Sequence, residues 1–313
     1  MTALYSIHDK IPDGAKGSVL TIGNFDGVHL GHRALLEATR NLAAAMHAAP
    51  GVMTFEPHPR QFFHPDAEPF RLSLLPMKQR LLQELGVGHL FAFAFDRELS
   101  SLNAAEFIDR ILVQKLKVRH VVVGEDFTFG NQRSGTAATL EAAAAAGKFG
   151  LSLVRPVASP GGQAYSSTVI RGLLRRGKFA EAAALLGWPW QMEAPVVHGD
   201  ARGRALGYPT ANQDMPEYVR IPYGVYAVRV LIEGERIWRE GAANFGIRPM
   251  FQSAKPIFET FIFDFAAEIY GKTMRVQPVQ YLRPELSFTG LSALVAQMKD
   301  DCITAKAVLK SFP

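Results

Sequence analysis

Through the first half of the chain, short apolar runs rich in β-branched residues alternate with longer amphipathic stretches. The runs at 19–22, 51–55, 90–95, 118–123 and 151–156 predict strands, and the stretches at 76–85 and 104–116 predict helices between them. An alanine run at 142–146 reads as the interior of another helix, because alanine is the strongest helix former. Strands separated by helices imply an α/β fold with a doubly wound parallel sheet, whose ligands bind beyond the carboxyl ends of the strands. From Pro195 the rhythm changes: glycine and proline turns separate short strands, and one helical pattern from about 291 to 309 follows them. This predicts a small antiparallel β-barrel with a C-terminal helix packed on it. The change falls at Gly187-Trp188-Pro189-Trp190, so the expected domains are residues 1–187 and 188–313.

A chain of 313 residues is long enough for two cores. No run approaches the roughly 18 apolar residues of a membrane span. The first sixteen residues mix charge and proline and lack a signal-peptide core, so a cytoplasmic protein with no membrane partner is expected. Cys302, the single cysteine, agrees with a reducing compartment and excludes an intramolecular disulfide or a cysteine-built metal site. The net charge of +5 is not gathered into any basic block, which argues against a nucleic-acid partner. A local surplus from Arg171 to Lys178 suits a small polyanion such as a triphosphate.

The densest chemistry of the first half is Gly23-Asn24-Phe25-Asp26-Gly27-Val28-His29-Leu30-Gly31-His32, between a strand and a helix. Gly23 and Gly27 let the backbone bend tightly, and the helix start offers unpaired N–H groups to an anion. His29 and His32 lie about one turn apart and can face the same phosphate, while Gly31 leaves room for a flat group against the helix. Here the chain resembles the His-x-Gly-His nucleotidyltransferases, which move a nucleotidyl group from a triphosphate to an acceptor. After the second strand come Phe55, Glu56, Pro57, His58 and Pro59, with Phe62 and Phe63 close behind; this is either loop packing or the cover of a planar ring. After the fourth strand, Gly124 to Gly130 frames Asp126, Phe127 and Phe129, as a binding loop or as a structural turn. Ser166, Ser167 and Thr168 open a helix that carries Arg171; they serve as caps or as a grip for phosphates.

In the second half, Gly199, Gly203, Arg204 and Gly207 form a glycine and arginine stretch able to approach phosphate through its backbone. Thr210 and Asn212 sit two apart, so on an extended chain both point the same way and offer neutral oxygens suited to Mg²⁺. Glu259 lies in an apolar run, either exposed at a strand end or held for work.

Taken together, these stretches resemble the prokaryotic bifunctional riboflavin kinase and FMN adenylyltransferase (FAD synthetase) family. The stretches that carry the resemblance are 23–32, 54–59, 124–130, 166–171, 203–212 and 244–249, with Glu259 and Asp264. The resemblance implies that the barrel phosphorylates riboflavin with ATP and Mg²⁺ to give FMN. The α/β domain then transfers AMP from a second ATP to FMN, giving FAD and pyrophosphate. It assigns ATP in the transferase to Gly23, Asn24, Phe25, Gly31, Ser167 and Thr168, with His29, His32 and Arg171 catalytic. Phe55, Pro57, Pro59, Phe62, Asp126 and Phe129 would line the flavin. In the kinase it assigns Gly199, Gly203, Arg204 and Gly207 to ATP, Thr210 and Asn212 to Mg²⁺, and Glu259 to catalysis. Two positions depart from the pattern: Met250 where a small hydroxyl residue is expected, and Phe261 where many relatives carry histidine. The alternatives are an adenylyltransferase with another acceptor, such as phosphopantetheine or nicotinamide mononucleotide, and a flavin-binding protein with a silent domain. The barrel with Pro209-Thr210-Ala211-Asn212 argues against the first, and the intact His-x-Gly-His and Glu259 argue against the second.

Overall fold

The computed structural model describes all residues except 1, 8, 159–161, 163, 200–202, 204–205, 216, 248–255 and 313. By packing, the chain divides into two compact units, Met1–Ala67 with Leu74–Ser166, and Glu68–Ser73 with Ser167–Pro313.

The first unit is built on a parallel sheet of β1 (Ala3–Tyr5), β2 (Val19–Ile22), β3 (Pro50–Glu56), β4 (His89–Ala94), β5 (His120–Gly124) and β8 (Gly150–Val154), with a small hairpin of β6 (Thr128–Phe129) and β7 (Gly135–Thr136). The strands lie in the order β1-β4-β3-β2-β5-β8. Connections run outward in both directions from β2, so β2 and β5 flank the topological switch where ligands of such sheets bind. The helices are α1 (Leu30–Ala45), α2 (Pro59–Phe63), α3 (Leu75–Glu84), α4 (Arg97–Ser101), α5 (Ala104–Glu106) and α6 (Ala137–Ala145). Beyond α5 the helix widens into π-type turns over Phe107–Lys115, ending with the Leu116 N–H on the Ile111 carbonyl at 3.0 Å.

Alternation along the strands fills both faces of the sheet. Val19 and Val122 face Ala43 and Leu42 of α1, whereas Leu20, Ile22, Val121 and Val123 belong to the larger core with Phe107, Ile111, Leu112 and Leu140. The strands expected from the apolar runs are present with ends shifted by a few residues. The edge strand β1 is an addition that its three residues are too few to announce.

The second unit is antiparallel: β9 (Met192–Pro195), β10 (Thr210–Asp214), β11 (Gly224–Ile232), β12 (Arg239–Ile247), β13 (Pro256–Ile262) and β14 (Thr273–Arg283) lie in the order β10-β13-β12-β11-β14-β9. The open edges meet where the Val197 N–H donates to the Asn212 carbonyl at 2.8 Å and Gln213 Nε2 donates to the carbonyls of Ala194 and Met274, so the barrel is nearly closed. Two helices the sequence pattern grouped with the first half, α7 (Ser167–Leu174) and α8 (Phe179–Leu186), pack in this unit together with Glu68–Ser73. The reason is side-chain anchoring. Trp190 is buried and its Nε1 donates to the Leu72 carbonyl at 2.9 Å, and Arg171 Nε donates to the Phe70 carbonyl at 2.7 Å.

The C-terminal helix α9 (Leu291–Lys310) lays Ala305 and Leu309 on Ala227, Ala242 and Phe263. Ala227 and Ala242 are paired across β11 and β12, and their small side chains leave room for the helix. Cys302 is part of this packing, and burial pushes its thiol up to about 11. The helix is held by Asp301, whose two carboxylate oxygens accept from Arg283 Nε and Nη2 at 2.7 and 2.6 Å. Both partners are largely buried, so removing one leaves a charge without its counterpart. Asp301→Ala should therefore lower the stability of the barrel by on the order of 3 kcal/mol. Thermal unfolding checks this, and an unchanged melting temperature would show that the pair contributes no more than a surface one.

Candidate active sites

All loops that follow the parallel strands leave from one sheet edge, which collects the predicted motifs of the first unit. At the end of β2 the Gly23 N–H donates to the Met53 carbonyl at 3.1 Å, and Thr54 Oγ1 donates to the Asn24 carbonyl at 2.9 Å. The backbone then turns through left-handed conformations at Phe25 (φ 47), Gly27 (φ 83) and Val28 (φ 41). For Phe25 and Val28 this costs on the order of 1–3 kcal/mol each. Both side chains are fully buried, and that packing holds the turn in place.

His29 is the N-cap of α1. Its Nδ1 accepts from the His32 N–H at 3.4 Å, and His32 Nδ1 accepts from the His29 N–H at 3.3 Å. Two histidines thus make a reciprocal cap, and their rings stack with centroids 3.7 Å apart. Because each Nδ1 acts as an acceptor, the neutral tautomer carries its proton on Nε2, leaving an Nε2–H donor on each ring. Burial holds His32 well below the ordinary histidine value of 6.5, reinforced by the proximity of His29 and then of Lys78. The room left by Gly31 is taken by protein: a Cβ there would lie 3.1 Å from Tyr165 Cβ and 3.2 Å from the His29 ring. Gly31 therefore accommodates the capping imidazole, where the sequence pattern suggested space for a ligand.

At the end of β3, a cis Glu56–Pro57 bond leads to His58, which caps α2 by accepting from the Arg60 N–H at 3.1 Å, with Pro59 in the first turn. Phe55 and Phe62 meet Phe95 edge to face at 5.7 and 5.4 Å, and Phe63 adds a fourth ring at 5.7 Å from Phe95. Phe95 escaped the motif reading, although the alternation Phe91, Phe93, Phe95 placed it at the end of a strand. After β5, the exposed Asp126 lies over Gly124, where a Cβ would come within 2.8 Å of its carboxylate. Phe129 is placed in the core against Phe107 and Phe127, with Gly135 giving space to its ring, so packing accounts for it.

Ser167, Thr168 and Arg171 stand on α7 in the second unit. Arg171 is buried, with its guanidinium 5.2 Å from the centre of the Phe70 ring. In the barrel, strand register assembles what the sequence kept apart: Glu259 lies directly opposite Asn212 on one side and Asn244 on the other. Thr210 is two residues from Asn212 and shares its face, and the Asn212 Nδ2 donates to the Thr210 carbonyl at 3.3 Å. Asn244 Nδ2 donates to Glu285 Oε1 at 3.3 Å. Asn244 opens the 244–249 stretch but had no assigned role, and Glu285 was not singled out, because their partners are set by strand register and not by local sequence.

Gly203 accepts N–H donors from Leu206 and Tyr208, and a Cβ on it would meet the Tyr208 carbonyl at 2.3 Å. Gly207 takes a φ of 84°, and Gly199 follows the barrel-closing bridge at Val197. Arg204 and Met250 lie outside the described residues. Phe261 packs edge to face on Tyr208. Among the described residues no three His, Cys, Asp or Glu side chains converge as metal ligands. The donors at Thr210 and Asn212 are neutral oxygens, of the kind that suits a hard cation already bound to phosphates.

A Rossmann-like sheet with a His-x-Gly-His helix start, followed by a near-closed barrel, defines a two-domain nucleotide-handling transferase. An FAD synthetase family model matches residues 11–169, and a riboflavin kinase model matches residues 186–309. A bifunctional riboflavin kinase/FMN adenylyltransferase of Escherichia coli K12 is 39% identical over 306 residues, covering 98% of this chain and 97% of its own. One of Bacillus subtilis is 34% identical over 300 residues, covering 94% and 93%. A solved structure described as a macrolide-efflux protein from Streptococcus pneumoniae matches 99% of both chains with a TM-score of 0.82 and 32% identity. Among the described residues no helix is long and apolar enough to cross a membrane. The chain belongs to the bifunctional riboflavin kinase/FMN adenylyltransferase family, with an FAD synthetase domain preceding a riboflavin kinase domain.

Burial lowers the affinity of His32, His89 and His120 for protons in the folded chain. A group harder to protonate when folded supports stability above its unfolded value and loses that contribution as pH falls below it. The first unit should therefore melt at a lower temperature at pH 5.5 than at pH 7.5, about one pH unit either side of the ordinary histidine value. A His32→Asn variant should show a smaller difference. Equal melting temperatures at the two pH values would refute this.

Proposed function

We propose that residues 1–187 transfer AMP from ATP to FMN, giving FAD and pyrophosphate, and that residues 188–313 phosphorylate riboflavin with ATP to give FMN. One observation supports this division: the two stretches hold chemically different constellations, a stacked pair of imidazoles at a helix start in the first and a carboxylate between two amides in the second. FMN phosphate is already anionic near neutral pH, so adenylyl transfer needs positioning and charge neutralisation more than a base. The Nε2–H groups of His29 and His32 meet that need as donors to the α-phosphate, with Gly23, Asn24 and Phe25 lining the nucleotide. Phe55, Pro57, Pro59, Phe62 and Asp126 are assigned to the flavin, now with Phe95 behind the rings. Ser167, Thr168 and Arg171 are the residues that the resemblance gives to phosphate, and the bond from Arg171 Nε to the Phe70 carbonyl holds the guanidinium in one orientation.

A riboflavin hydroxyl is a poor nucleophile and profits from a base, the role given to Glu259. Thr210 and Asn212 would hold Mg²⁺, which when bound neutralises charge on the triphosphate. Gly199, Gly203, Arg204 and Gly207 are assigned to the ATP phosphates. With ATP as co-substrate of both reactions and one buried-leaning cysteine, the cytoplasm is the compartment that fits.

Riboflavin, ATP and Mg²⁺ incubated with the purified chain should yield FMN first and FAD after it, resolved by chromatography. His29→Ala should abolish FAD formation and leave FMN formation intact, and Glu259→Ala should abolish FMN formation while added FMN is still converted to FAD. Loss of both activities from either folded variant would refute the assignment of separate sites.

A further inference from the structure

Lys78 of α3 is the most deeply buried cation of the first unit, with no exposed surface. Its Nζ donates to Thr54 Oγ1 at 3.1 Å and pairs with Glu56 Oε1 at 3.0 Å. Thr54 in turn donates to the Asn24 carbonyl, in the strained turn that precedes the histidine cap. Glu56 is the last residue of β3, where the chain enters the Pro57–Pro59 loop and its aromatic cluster. One ammonium therefore reaches the nucleotide-side turn through a hydroxyl and the flavin-side loop through a carboxylate. A buried amine is costly unless it is paired and hydrogen-bonded, and a methionine of similar length would fill the same space without that cost.

We propose that Lys78 is a positioning residue of adenylyl transfer, which locks the Gly23–Phe25 turn to the start of the Glu56–Pro59 loop so that the two walls of the site keep one spacing. The inference rests on the assignment of FAD formation to the His29–His32 turn. Electrostatics supports it. After burial and His29, the Lys78 ammonium is the further cause that keeps His32 from taking up a proton. The charged and titratable groups facing that ring are thus His29 from the helix cap and Lys78 from α3, the latter offset by Glu56 from β3. A protonated His32 Nδ1 could not accept the His29 N–H, so keeping the ring neutral also keeps the cap.

The experiment uses full-length Lys78→Met and Lys78→Arg, with circular dichroism and thermal unfolding against the parent as the control for folding and FMN formation from riboflavin as the control for the barrel. FAD formation from added FMN is followed across pH, after the parent chain has been shown to make FAD. A parent that makes no FAD would overturn the assignment of the turn and this inference with it. Lys78→Met should lose about a hundredfold in kcat for FAD formation, the scale of a small misplacement of reacting groups. Its acid limb should move to higher pH, and its FMN formation should match the parent's. Lys78→Arg, which keeps the charge, should keep the acid limb in place and recover part of kcat. If Lys78→Met keeps the parent's kcat and acid limb, the inference is overturned. If Lys78→Met does not fold, Thr54→Val decides: it removes the hydroxyl that joins Lys78 to the Asn24 carbonyl while leaving the Lys78–Glu56 pair, and should lower kcat about tenfold with the acid limb unmoved. An unchanged kcat there overturns the inference equally.

Discussion

The first N–H groups of an α-helix have no helical carbonyl to bond, and the way α1 meets that constraint shapes the first unit. Two of those N–H groups are satisfied reciprocally by the Nδ1 atoms of His29 and His32. The same bonds leave an Nε2–H on each neutral ring and hold the two rings in a stack at the helix start. The turn that makes this possible is strained at Phe25 and Val28, and it persists because both side chains are sealed in the core. Thr54 and Lys78 then brace its carbonyl from below. A cap and a fold element are here one set of atoms.

The barrel brings a different set of groups together. Antiparallel pairing sets Glu259 between Asn212 and Asn244, where amides can flank a carboxylate without a second charge directly across the strand. The closing contact from the Val197 N–H to the Asn212 carbonyl places Asn212 at the seam of the barrel. The C-terminal helix is held to the barrel by the Arg283–Asp301 pair and by two facing alanines.

Much of this was legible in the residues. Periodicity placed the strands and several helices of the first unit and the C-terminal helix, because alternation and helical spacing report which face is buried. The turn at 23–32 could be read as an anion site because glycine spacing and the histidine pair act over a single helical turn. Short features escaped: β1 is only three residues long, and the π-type turns at Phe107–Lys115 follow the same apolar pattern as an ordinary helix.

By itself, the sequence determined the two fold classes, the order of their elements and the residues at the helix start, since these depend on interactions between near neighbours in the chain. Only the tertiary structure decided that α7, α8 and Glu68–Ser73 pack with the barrel, through the anchors at Trp190 and Arg171. It also decided that Lys78 reaches back 22 positions to Glu56, that Phe95 joins Phe55 and Phe62, and that Asn244 sits beside Glu259. Those pairings depend on strand register and on burial accumulated over long separations, and no local pattern of residue types carries that information.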